Sequence, residues 1–234
     1  MRTAREASAQ LHAAGNPAFA EHAQRFFKTA PGQYGHGDTF LGIRVPTVRA
    51  MVKDYAGLRL TEVVKLLRSS YHEERLFALL VLIRQFDRAD PAGREEIYTL
   101  YLKHTRSINN WDLVDVSAPN IVGTYLLDKD RHILYTLAAS PVLWERRIAM
   151  LATFAFIRKN EIDDALAIAR LLRDDLEELI HKAVGWMLRE VGKRNLNALT
   201  MFLDQHAADL PRTMLRYAIE KLPNPKRLHY MKKK

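Results

Sequence analysis

The chain has 234 residues, 48% of them hydrophobic, no cysteine, and a formal net charge of +9. That length suits one large domain or two small ones, and the apolar content sustains a core and excludes wholesale disorder. The missing thiols exclude disulfides and thiolate chemistry and fit a reducing cytosol, while the excess of Lys and Arg suits a polyanionic partner, because each neutralised phosphate releases condensed counterions.

In chain order, the opening "MRTAREASAQLHAAG" is rich in Ala and Arg like a transit peptide, yet it lacks the apolar run of a secretory signal, carries Glu6 and reads equally well as a first helix. Glycine is scarce except in "PGQYGHGDTFLG", residues 31–42, the one clear loop, which is rich enough in Gly to move. Apolar residues then recur at three- and four-residue spacing over 62–68, 73–86, 95–102, 144–157, 161–172, 176–191, 195–203 and 211–222, which predicts helices. Pro46, Asp90-Pro91, Pro119, Ser140-Pro141, Pro211 and Pro223 divide them. Strand-like alternation is hard to find, and no apolar stretch is long enough to span a bilayer. The sequence does not assign the final "PNPKRLHYMKKK", residues 223–234: such a basic tail is usually frayed and solvated, or else adds non-specific affinity.

Several segments resemble one another. "EERLFALLVL", "WERRIAMLAT", "IHKAVGWMLRE" and "PRTMLRYAIEK" each set a basic residue ahead of a small-and-apolar run, with Arg75, Arg147, Lys182 and Arg216 at equivalent points. With the 109–125 segment filling the wider gap between the first two, the spacing is roughly 35 residues, that of stacked helix pairs. The predicted fold is all-α: a superhelical stack of HEAT-like helix pairs forming one solenoid over residues 1–222, with a concave surface made by one helix of each pair.

Three stretches carry candidate chemistry. In "NNWDLVD", residues 109–115, Trp111 and Asp115 share a helix face. Asn109 is placed to cap that helix with Asp112 reaching back, whereas Asp115 lies beyond the first turn. Pro119 lacks the amide that would bond the Asp115 carbonyl, so the helix kinks or ends there. Asp115 then either pairs with a basic residue of the next repeat or serves a site. Arg147 edges the face formed by Trp144, Ile148, Leu151 and Ala155. It either lays its stem on the core with its head in water, or offers a guanidinium to a phosphate. Lys182, Trp186, Arg189 and Lys193 run beside the stripe Ile180, Val184, Met187 and Val191. That indole either stacks on a sugar or base while the cations hold the backbone, or packs into the next repeat with the cations solvated. The nine histidines lack ligand spacing, "YHEER" is not HExxH, and no phosphate-binding glycine loop or nucleophile elbow is present, so no metal or other cofactor is expected.

"FLGIRVPTVR", "WDLVD" followed by Pro119, "WERRIAML", "KAVGWMLRE" and "LRYAIEKLP" together resemble the AlkD family of bacterial DNA alkylation-repair glycosylases, in order from about residue 20 to residue 222. The resemblance implies a C-shaped stack of helix pairs with DNA in its concave face. It implies excision of N3-alkylated adenine and N7-alkylated guanine without swinging the base into a deep pocket. It further implies that Asp115 is the essential carboxylate, that Trp111 and Trp186 flank it, and that Arg147 contacts the backbone beside the lesion. Two residues depart from the family pattern: Phe26 stands where a tyrosine is expected, and Arg44 where a glutamine follows "LGI". The 31–39 loop is also longer. A cationic alkylpurine leaves without an acid to protonate it, so a carboxylate that stabilises the oxocarbenium-like sugar and admits water suffices. The expectation is a monomeric, cytoplasmic glycosylase, nucleoid-associated when bound, acting on double-stranded DNA, with Arg44, Lys182, Arg189 and Lys193 on the DNA. The rivals are a non-catalytic DNA-binding module and a HEAT-type adaptor for an acidic protein.

Overall fold

The computed structural model describes residues 2–232. Among them fourteen α-helices form: α1 (Ala4–Ala13), α2 (Pro17–Phe26), α3 (Val45–Met51), α4 (Leu60–Leu67), α5 (His72–Arg88), α6 (Pro91–Lys103), α7 (Trp111–Ser117), α8 (His132–Ala138), α9 (Leu143–Arg158), α10 (Asp163–Leu171), α11 (Glu178–Arg194), α12 (Leu196–His206), α13 (Arg212–Ile219) and α14 (Asn224–Lys232). Extended pairing among the described residues is limited to one parallel bridge, Thr39 to Tyr71. The all-α expectation holds.

The helix signals act where the sequence puts them. The opening segment is helical, begun by a capping box in which Thr3 and Glu6 satisfy each other's amides. Asn16, Asp90 and Asn195 cap α2, α6 and α12. Pro17, Pro46 and Pro91 sit in first turns, where a missing amide costs nothing. Past Ser117 the chain leaves α geometry for a π turn, Pro119–Gly123, whose last amide reaches back to the Ala118 carbonyl at 2.9 Å.

Two compact units divide between Ser117 and Ala118. In the first, α5 is central: every residue from His72 to Leu82 is buried, and α1, α3, α4, α6 and α7 pack around it. In the second, α9 takes that place against α8, α10 and α11, while α11 carries α12 and α13, and α13 carries α14. Both α5 and α9 carry an unbroken stretch buried on all sides, as a helix at the middle of its unit must. The α11–α13 approach is close enough to exclude a side chain: a Cβ on Gly185 would lie 2.4 Å from the Met214 carbonyl oxygen.

Two expectations are corrected here. The glycine-rich loop is not free to move along its whole length. Asp38 and Phe40 are buried, and Leu41, Gly42 and Ile43 donate their amides to the Glu73 carboxylate at 2.9, 2.8 and 3.1 Å. Gly42 takes φ +78, and a Cβ there would come 2.1 Å from the Asn16 carbonyl oxygen, so the glycine serves close approach rather than motion. The basic tail is not frayed either: residues 224–232 are α14. Pro225 in the first turn starts a new helix, and Tyr230 supplies its buried contact, with its hydroxyl 3.2 Å from Asp204. Lys233 and Lys234 lie outside the described residues.

Candidate active site

The first turn of α5 carries four consecutive charged or titratable residues, His72, Glu73, Glu74 and Arg75, and all four are buried. Burying such groups is costly unless each is paired, and each is. Glu73 holds the 41–43 amides. Glu74 accepts from Ser8 Oγ at 2.5 Å and lies 3.2 Å from His12 Nε2, tying in α1. Arg75 donates to Asp38 at 2.6 Å and to the Ser69 and Ser70 carbonyls. His72 joins two carboxylates, Asp38 through Nδ1 at 3.2 Å and Asp112 through Nε2 at 2.8 Å. Acidic side chains in a first turn also answer the helix dipole.

Burial alone would drive the His72 pKa down, but the Asp112 and Asp38 carboxylates outweigh it and push the ring up to about 9. An imidazolium donating from both nitrogens is the species that satisfies both carboxylates at once. Burial would raise the Asp38 pKa; His72 and Arg75 hold it below the usual carboxylate range. Phe40 stacks on the His72 ring at 4.6 Å.

Asp112 therefore does not cap α7, contrary to the sequence reading. The Trp111 amide goes instead to the Asn110 side chain at 2.8 Å, and the Asn109 side-chain oxygen is buried without a hydrogen bond. Asn110, fully buried, also donates to Asp38 at 3.3 Å, so the start of α7 is fixed by the cluster at the start of α5.

That anchoring sets the two residues of interest on α7. Trp111 is half-buried, stacked on Phe27 with centroids 5.4 Å apart, while the exposed Phe26 meets its edge at 6.1 Å. One turn on, Asp115 is also half-buried. Its charge is felt inside the unit: burial pushes the Tyr101 phenol above its ordinary pKa, and Asp115 adds to that rise. Tyr101 is held by Ser117 at 2.9 Å, and Ser117 in turn donates to the Leu113 carbonyl. Arg44 is exposed over the Phe19 ring at 4.7 Å, at the edge of a 380 Å³ pocket reaching Phe27, Phe40, His72 and Asp112.

In the second unit Arg147 is buried, and its Nη1 donates to the Leu179 carbonyl at 2.5 Å, so its head is not simply in water. On α11, Trp186 is half-buried with its ring 5.9 Å from Phe154, and its indole N–H donates to Glu190 at 3.2 Å. The cations beside it are answered by carboxylates: Lys182 by Glu178 at 3.3 Å, Lys193 by Glu190 at 2.6 Å, and Arg189 by Glu220. The repeat equivalence of Arg75, Arg147, Lys182 and Arg216 does not extend to environment, since the first two are buried and Arg216 is exposed.

The sequence profile of a family described as DNA alkylation repair enzyme matches residues 7–222. The chain belongs to the DNA alkylation repair enzyme family. No curated protein matches it. Among solved structures it is similar to the predicted DNA alkylation repair enzyme from Enterococcus faecalis, with a TM-score of 0.70 at 18% identity over 90% of this chain and 97% of that one. It is also similar to AlkD2 from Streptococcus mutans, with a TM-score of 0.57 at 15% identity over 88% and 98% of the two chains. At those identities the likeness concerns the fold. No helix among the described residues of this DNA alkylation repair family member is long and apolar enough to cross a membrane.

Sequence reasoning missed His72, Asp38 and Glu190 in this family member. One signal was available for the first: "HEER" runs straight into the unbroken apolar run "LFALLVLI", which draws the first turn into the core with it. Nothing local marks Asp38, which meets its partners 34 to 72 residues away.

Proposed function

We propose that this DNA alkylation repair family member is a DNA glycosylase that hydrolyses the N-glycosidic bond of cationic N3-alkyladenine and N7-alkylguanine in double-stranded DNA, leaving an abasic site. The observation that carries the reading is Asp115: a half-exposed carboxylate one turn from Trp111, on a short helix whose start is pinned by buried ion pairs. Half withdrawn from water, a carboxylate there stabilises a developing cation more strongly than it would in bulk solvent.

An alkylated purine already carries the positive charge that makes it leave. As the bond stretches, electron density drains from the deoxyribose, and Asp115 stabilises the resulting oxocarbenium-like sugar and takes a proton from the incoming water. Trp111 and Trp186 offer electron-rich faces that favour a cationic over a neutral sugar. Arg147, Lys182, Arg189, Lys193 and Arg44 hold the sugar-phosphate backbone. Protonation of the base is not required, because the alkylated purine leaves as a neutral base.

The test is release of free base from duplex DNA containing N7-methylguanine. Wild-type protein should release it, and Asp115→Asn should lose most of that release while still binding DNA. Full release by the variant would remove Asp115 from the chemistry. DNA binding without release by the wild type would mark a module that binds DNA and has no glycosylase activity.

A further inference from the structure

The positive charge of the chain is concentrated at one end. Residues 211–234 hold eight Lys and Arg against one carboxylate, Glu220, whereas residues 1–210 hold 28 basic and 26 acidic side chains. The cations of α11 are largely answered by Glu178, Glu190 and Glu220. Elsewhere in the second unit Arg131 meets Glu161 and Asp164, and Arg146 meets Asp175 at 2.6 Å.

On α13 and α14 the pattern stops. Among the described residues Arg216, Lys226, Arg227 and Lys232 are exposed and have no carboxylate partner. Arg216 and Arg227 line a 310 Å³ pocket with Asn224 and an apolar floor of Ile219, Leu228 and Met231. No acidic side chain lines it. The wall is held in place: Arg212 donates to the Met231 carbonyl at 2.9 Å, and the Tyr230 hydroxyl lies 3.2 Å from Asp204. Two exposed guanidiniums on one pinned pocket give it a net positive charge with no acid to answer it, and a planar fork matches phosphate oxygens in pairs.

We propose that the α13–α14 pocket binds a phosphate of the duplex DNA backbone, with Arg216 and Arg227 as its contacting groups and Lys226 and Lys232 on flanking phosphates. This rests on the glycosylase reading and deepens it: α14 supplies sequence-independent affinity, separate from the chemistry at α7.

The experiment measures binding of the full chain to undamaged duplex DNA, damaged duplex DNA and duplex RNA across a salt series, for the wild type, the Arg216→Gln/Arg227→Gln variant and a control, Lys53→Gln, at an exposed lysine of the first unit. Losing the contact to that one phosphate should flatten the slope of log affinity against log salt by about 1. Affinity should fall equally for damaged and undamaged duplex, and the control should keep the wild-type slope. Both arginines are exposed, so an unchanged thermal midpoint of the variant establishes its fold. An unaltered slope in a protein that still releases base overturns the pocket alone, as does an equal change in the control or an effect confined to duplex RNA. Wild-type protein that neither binds duplex DNA nor releases base overturns the glycosylase reading beneath it.

Discussion

His72 Nε2 lies 2.8 Å from the Asp112 carboxylate, joining the first turn of α5 to the first turn of α7 across 40 residues of sequence. With Asp38 on the other ring nitrogen, the imidazole is held between two anions, and its folded pKa rises to about 9 from 6.5. The native state therefore binds a proton more tightly than the unfolded chain. The stabilisation is complete below the unfolded value and is lost as pH rises through the folded one, on the order of 2–3 kcal/mol in all. Asp38, with its pKa lowered, contributes in the opposite sense: its stabilisation is present above 3.8 and is lost as pH falls. Denaturant midpoints taken from about pH 6 to about pH 9.5 should fall with pH in the wild type. His72→Asn should be less stable by about 3 kcal/mol near neutrality and should lose that slope. A slope that survives the substitution would assign the proton elsewhere.

Glu73 takes three consecutive amides of residues 41–43 and thereby clamps the end of the glycine-rich loop. Glu73→Gln keeps the shape and removes the charge, and should cost about 1–3 kcal/mol. Proteolysis near residues 38–43, slow in the wild type, should accelerate in Glu73→Ala. Equal digestion of the two proteins would show that the clamp does not restrain the loop.

Gly185 sits in mid-helix on α11, where alanine would ordinarily stabilise by about 1 kcal/mol. Here the added Cβ would meet the Met214 carbonyl oxygen at 2.4 Å and Tyr217 Cβ at 2.5 Å. The sign should reverse: Gly185→Ala should destabilise by about 1–3 kcal/mol, as read from its urea midpoint. A stabilised variant would refute the close packing of α11 on α13.

Glu190 both orients Trp186 and neutralises Lys193. Under the glycosylase reading its removal has two opposed effects. Glu190→Ala should tighten binding to undamaged DNA several-fold at low salt, because a carboxylate leaves the neighbourhood of two cations, Arg189 and Lys193. It should slow base release on the order of ten-fold, because the indole loses the acceptor that fixes its ring. Measuring affinity and single-turnover release on one preparation separates the two, and parallel changes would contradict this division of roles.

The sequence by itself determined the helices and their punctuation, because periodicity, caps and prolines act over three or four residues. The eight apolar segments all fall on helices, and the break beyond Asp115 follows from the missing Pro119 amide. What it left open was the partner of each polar group. Asp112 reads as a cap for Asn109 when only neighbours are considered, yet it belongs to a histidine on another helix. Arg189 beside Trp186 is answered by Glu220, which arrives from 31 residues away. The last dozen residues read as a tail until Tyr230 finds Asp204. Only the tertiary structure decided these, because Coulomb attraction and desolvation depend on distance in space, and a buried charge is tolerated only where folding brings its counterpart within hydrogen-bonding reach.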